Sequence, residues 1–157
     1  MEKIKLNILL LGIIFLFTAC GITVNPAQTV VDSLPNMIAG RVDTHGYFQD
    51  YTDYGEFTFS GITAETLEQN PYFSPVTQER IHSLYGYLDN FEGWFEDARD
   101  CEDCELWEHY DFSKDLIREG DYFYLKMKGH NSGPYDNYDL YYFSLEKQTL
   151  YFFHNNI

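Results

Sequence analysis

Three aromatic-rich runs lie in the last third of the chain, the first of them alternating between two faces, and they constrain the fold more than any other feature of the sequence. In the first run Phe123, Leu125 and Met127 share one face, while tyrosines and lysines share the other. Alternation with a period of two is typical of half-buried strands, and polar turn residues separate the runs. The pattern predicts a three-strand antiparallel meander over residues 122–128, 138–145 and 149–154.

A helical pattern precedes these strands. Ser74 is a good N-cap and Pro75 fits a first helical turn, where its missing N–H costs nothing. Apolar residues then recur every three or four positions, which predicts one long helix over 75–97 with a core-facing stripe. The stripe consists of Ile81, Leu84, Tyr85, Leu88, Phe91 and Phe95.

The segment before this helix is more mixed. Residues 37–48 have strand character, 49–55 (QDYTDYG) are polar and turn-like, and 56–60 alternate as a strand does. Thr63 is a good N-cap for a short helix that ends before Asn70-Pro71. We therefore predict an α+β fold, in which the meander and one or two N-terminal strands form an antiparallel sheet packed against one long helix.

The N-terminus has the order of features of a secretory signal. Lys3 and Lys5 precede an apolar run over 8–17, and the small residues Thr18 and Ala19 follow it. The run is shorter than the roughly 20 residues that cross a bilayer. A cysteine, Cys20, comes directly after the small residues.

The stretch Phe17-Thr18-Ala19-Cys20-Gly21 resembles the lipobox of bacterial lipoproteins, with Phe17 where that family prefers an aliphatic residue. The resemblance implies cleavage before Cys20, acyl chains such as palmitate on that residue, and a membrane anchor at the bacterial cell envelope. Multi-chain anchoring is stable where one chain is marginal. The expected organisation is a signal peptide over 1–19, a lipidated tether over 20–36, and one globular domain over 37–157.

Charge excludes one class of partner. The chain carries 10 basic and 25 acidic residues, and removal of residues 1–19 leaves 10 − 2 = 8 and 25 − 1 = 24, a net charge of −16. Nucleic-acid binding requires a cationic surface, so we predict no nucleic-acid partner. Fourteen tyrosines suit a sheet, and tyrosine is also frequent on surfaces that bind proteins or glycans.

A CxxC motif, Cys101 and Cys104, lies within an acidic run. In an exported protein the pair predicts a structural disulfide. A redox-active pair, a metal-binding pair and free thiols remain alternatives, although the surrounding carboxylates disfavour a reactive thiolate. Zinc binding by Cys101, Cys104 and His109 would need a fourth ligand from elsewhere in the chain. We predict no metal site and no cofactor.

The acidic run itself spans residues 96–111 and has only Arg99 opposing it. Its spacing does not fit an EF-hand, so calcium binding is a weaker interpretation than a solvated acidic surface that docks a partner. The sequence contains no local catalytic motif. His154 falls within the last predicted strand and is interpreted as a packed or edge residue rather than a base.

Three functions remain open. We expect a membrane-anchored lipoprotein whose non-catalytic domain binds another envelope component, a protein or a glycan. An acidic inhibitor or immunity-type protein for a cationic partner is the alternative. A small envelope enzyme would require scattered His, Asp and Glu residues to converge in a cleft.

Overall fold

The computed structural model describes residues 26–47, 50–97, 109–129, 133 and 135–156. Six antiparallel strands form one sheet in the order β1-β2-β6-β5-β4-β3, which confirms the predicted α+β fold. The elements in chain order are α1 Pro26–Val31, β1 Met37–Tyr47, β2 Asp50–Phe59, α2 Ala64–Glu68, β3 Ser74–Pro75, α3 Gln78–Asp97, a 3-10 turn Lys114–Leu116, β4 Tyr122–Met127, β5 Asn137–Ser144 and β6 Thr149–Asn156.

The C-terminal meander is confirmed as β4, β5 and β6, with each strand paired to the next. β6 also pairs with β2, so it lies inside the sheet rather than at its edge. The strands are buried more fully than the alternation predicts: β5 is buried from Tyr138 to Ser144. A strand buried on both sides requires a second layer on each face of the sheet.

The long helix α3 covers one face, which we call the α3 face. Leu84, Leu88 and Phe91 are buried there against Tyr142 and Phe153 of the sheet, so the predicted apolar stripe is confirmed. The side chain of Phe95 lies outside the described part of the chain.

The predicted start of that helix is wrong by several residues. Ser74 and Pro75 form the edge strand β3 opposite Phe123 and Tyr122 of β4. A residue before proline is driven towards extended backbone, and proline is tolerated at a sheet edge because it has no N–H to pair. The helix begins at Gln78 instead.

Two long N-terminal strands, β1 and β2, pair as a hairpin. The prediction of a turn over 49–55 is wrong, because β2 already begins at Asp50 and pairs with β6 from Tyr51 onwards. Its polar residues are partly buried by neighbouring strands, with Thr52 6 % and Asp53 9 % exposed. The short helix α2 is confirmed, with Thr63 as its N-cap.

The opposite face is covered by the N-terminal helix α1, and we call it the α1 face. Ala27, Val30, Val31 and Leu34 are all buried there, with Phe73 and the sheet residues Phe143 and Phe152 in the same cluster. Their spacing is that of one helical face followed by a turn. The predicted tether over 20–36 is therefore wrong from Pro26 to Leu34, because this segment supplies core side chains.

Candidate functional site

A row of ionisable side chains crosses the α1 face of the sheet. His154 in β6 lies opposite Asp53 of β2 on one side and opposite Asp139 of β5 on the other. Lys126 of β4 is the next cross-strand neighbour of Asp139. Cross-strand neighbours are close enough for their side chains to interact, so the register itself brings these residues together.

The same period-two alternation that builds the core produces this row. Asp139 shares its face with Tyr141 and Phe143, and His154 shares its face with Leu150 and Phe152. At one end of the sheet the apolar rows therefore give way to a polar row. Asp139 and His154 lie on inner strands of the sheet and are buried, with 0 % and 2 % of their surface exposed.

Asp139, His154 and the half-buried Lys128 form a hydrogen-bonded group, and Asp53 lies beside it opposite His154. We call these four residues the Asp139 cluster. Asp139 Oδ1 lies 2.6 Å from His154 Nδ1 and 2.8 Å from Lys128 Nζ. Lys128 Nζ and His154 Nδ1 are 3.1 Å apart. The ring of His154 also packs against Tyr51, with 4.8 Å between ring centroids.

The two carboxyl groups titrate in opposite directions. Burial raises the tendency of Asp139 to hold a proton, but hydrogen bonds from His154 and Lys128 overcome this and lower its pKa below the ordinary value. Burial raises the pKa of Asp53 above its ordinary value, against the opposing hydrogen bond with Thr44. Asp139 is therefore the preferred site of negative charge in the cluster.

Three polar atoms of this cluster are buried without a hydrogen-bond partner within the described residues: Asp53 Oδ1, Asp139 Oδ2 and His154 Nε2. A buried group left unsatisfied costs about 1–3 kcal/mol, and more when it is charged. Native structures contain few such atoms, and a concentration of three in one cluster requires an explanation.

A pocket of about 160 Å³ adjoins the cluster on the α1 face. Three tyrosines form much of its wall, with ring centroids 5.3 Å apart for Tyr72–Tyr124 and 5.6 Å apart for the stacked pair Tyr124–Tyr141. The remaining lining residues are Thr29 and Val30 of α1 with Lys126 and Asp139 of the sheet. The pocket thus combines aromatic walls with one cationic and one anionic side chain.

The α3 face has its own polar contacts near β1. Glu56 accepts hydrogen bonds from Tyr54 Oη at 2.7 Å and from Arg41 Nη2 at 2.8 Å. Arg41 Nη2 also donates to the backbone oxygen of His109 at 2.7 Å. These bonds join the segment after residue 108 to the N-terminal hairpin, and their partners satisfy one another, which suits a structural role.

The structure describes some of the site residues that were predicted from the sequence and not others. Cys20, Cys101 and Cys104 lie outside the described residues, as does most of the acidic run, so lipidation and the disulfide stay predictions. His109 is described, with Nδ1 3.6 Å from Asp43 Oδ2. His154 is packed, as predicted, but in a central strand rather than at an edge.

Sequence reasoning missed the Asp139 cluster. Its members are distant along the chain and belong to no motif. The usable signal was the alternation, which places Asp139 and His154 on the same faces as buried rings in their strands. A charged residue at a core-facing position of a strand is unusual and needs a partner.

Within the described ranges no group of three or more His, Cys, Asp or Glu side chains is arranged to hold a metal ion. No helix among the described residues is long and apolar enough to span a membrane.

Comparison with known proteins adds no relative: no family model, no curated protein and no solved structure matches this chain.

Proposed function

We propose that this chain is a membrane-anchored lipoprotein of the bacterial envelope, and that its domain is a non-catalytic module that binds another envelope component. The lipobox-like stretch ending at Cys20 supports the anchor. The observation that supports binding is the tyrosine-walled pocket beside the Asp139 cluster.

The short stretch of chain between Cys20 and α1 supports a pocket that lies close to the membrane. Pro26 begins α1 only six residues after Cys20, and six extended residues span at most about 20 Å. Thr29 and Val30 of the same helix line the pocket. An anchor on Cys20 would therefore hold the pocket near the membrane surface, where an envelope component would meet it.

The surroundings of His154 support binding over catalysis. Its Nδ1 donates to Asp139 Oδ1, and its Nε2 is buried with no hydrogen-bond partner among the described residues. A general base must lie within hydrogen-bond reach of the proton that it removes. The His154 imidazole is 2 % exposed, and the hydrogen-bond contacts of its ring are with Asp139 and Lys128 rather than with a hydroxyl or thiol that could act as a nucleophile. This geometry does not fulfil that requirement.

The anchor is tested by the intact mass of the full chain expressed in a bacterium and purified from membranes without reductant. We expect the mass of residues 20–157 plus acyl chains, less two hydrogens for a Cys101–Cys104 disulfide. A mass that begins at Met1 and carries no lipid would refute the lipoprotein assignment.

The binding function is tested by capture from detergent extracts of envelopes with the membrane-purified protein. Tyr72→Ala removes a pocket wall, and Tyr135→Ala is a matched control at an exposed tyrosine outside the pocket. We expect salt-resistant capture that Tyr72→Ala abolishes and Tyr135→Ala preserves. Salt-labile capture unaffected by either variant would favour the acidic inhibitor instead, and no specific capture would contradict both.

A further inference from the structure

We propose that the pocket on the α1 face binds one neutral sugar residue, with hydroxyl groups directed to Asp139 and Lys126 and the ring packed between tyrosines. This inference rests on the proposed binding function and specifies its ligand class.

The first argument is the unsatisfied acceptor. Asp139 lines the pocket, is 0 % exposed, and its Oδ2 has no hydrogen-bond partner among the described residues. Hydrogen bonds from His154 and Lys128 to Oδ1 hold the carboxylate in its ionised form, which accepts hydrogen bonds and donates none. The missing partner is therefore a donor such as a hydroxyl group.

The second argument is charge balance. Lys126 lines the pocket and Lys128 contacts Asp139, so two ammonium groups already accompany one carboxylate. A ligand cation would meet Lys126 in the pocket beside an Asp139 that Lys128 already neutralises, and a ligand anion would meet Asp139 on a protein of net charge −15. Burial of an unpaired charge is unfavourable in either case. A neutral ligand with both donor and acceptor groups avoids these costs.

The third argument is size and shape. A water molecule occupies about 30 Å³ in the liquid, so a 160 Å³ pocket corresponds to about five waters, which suits one small ring. Tyr72, Tyr124 and Tyr141 present apolar ring surfaces with polar hydroxyl tips. A pyranose has the matching surfaces, because its C–H groups are apolar and its hydroxyls point outward.

The Asp139 carboxylate has no exposed surface, so a ligand hydroxyl reaches Oδ2 only when a neighbouring side chain moves. Lys126, its cross-strand neighbour, lines the pocket and is exposed, and we assign this movement to Lys126. A hydrogen bond to a charged group contributes enough that its loss weakens binding roughly tenfold or more.

The test is isothermal titration of the membrane-purified protein in detergent. The probes are methyl glucoside, methyl galactoside and N-acetylglucosamine, compared with methylammonium and acetate. We expect binding of at least one sugar and of neither ion. Tyr72→Ala and Lys126→Ala should each weaken it about tenfold or more, and Tyr135→Ala should leave it unchanged. Near-ultraviolet circular dichroism of each variant verifies its fold.

Three results would overturn the inference. Binding of either ion that depends on Tyr72 would assign the pocket to charged ligands. Sugar binding that both pocket variants leave unchanged would place the site elsewhere. Absence of sugar binding, with envelope capture still dependent on Tyr72, would refute the ligand class and leave the proposed function standing. Sugar binding without envelope capture would instead refute the proposed function alone.

Discussion

His154 Nδ1 and Asp139 Oδ1 lie 2.6 Å apart on neighbouring central strands, and both residues are buried. The pair is embedded in a face that is otherwise aromatic and aliphatic. Removal of one partner from such a pair leaves the other without compensation in a medium that solvates it poorly. This relationship makes the Asp139 cluster a determinant of stability, and one of its members, Asp139, also lines the pocket.

We predict that Asp139→Asn destabilises the protein by about 3 kcal/mol at neutral pH, within the range for breaking a buried charge pair. Asparagine keeps the shape of the side chain but is neutral, so it leaves the Lys128 ammonium without its counter-charge. The measurement is urea unfolding of both proteins. Glu119→Gln, at an exposed acid, is the control and should change stability by less than about 0.5 kcal/mol.

The lowered pKa of Asp139 has a defined consequence for acid stability. A group with a depressed folded-state pKa contributes stability above its unfolded value of about 3.9, and the contribution disappears as pH falls through the folded-state value. The stability difference between the natural chain and Asp139→Asn should therefore be full at pH 6 and shrink below about pH 4. A difference that is constant from pH 6 to pH 3 would contradict the assignment.

Asp53 should behave in the opposite sense, because burial raises its pKa. Its contribution to stability is complete below the unfolded value of about 3.9 and is lost as pH rises through the folded-state value. We predict that Asp53→Asn raises stability by up to about 1 kcal/mol at pH 7, and that the gain disappears near pH 3. Urea unfolding at the two pH values measures this, and a loss of stability at pH 7 would show that the carboxylate is needed there.

Leu34, in the turn that follows α1, offers a direct test of whether this segment belongs to the core. Leu34 is 5 % exposed, so Leu34→Ala should destabilise the domain by about 2–5 kcal/mol through lost burial and a cavity. Ile38 is 66 % exposed, and Ile38→Ala is the matched control with little expected effect. Thermal unfolding distinguishes them, and equal melting temperatures would mean that this segment is a tether after all.

Local patterns predicted the regular elements because each pattern is a direct consequence of local geometry. Period-two alternation identified β4, aromatic-rich runs separated by turn residues identified β5 and β6, and the three-to-four spacing of apolar residues identified α3. Predictions from local residue chemistry were wrong where pairing with a distant segment of the chain changed the secondary structure. Ser74-Pro75 has the sequence pattern of a helix start, but the two residues pair with β4 and form an edge strand.

Local patterns in the sequence were enough to predict the α+β class, the meander, the core-facing stripe of α3 and the helix cap at Thr63. The place of Ala27 and Leu34 in the core depends on packing instead, because a short apolar helix and its following turn stay a tether unless a sheet face is available to bury them. The tertiary structure also decided the Asp139 cluster. The cross-strand register, which joins positions far apart in the chain, places Asp53, His154 and Asp139 side by side, and no local pattern contains that information.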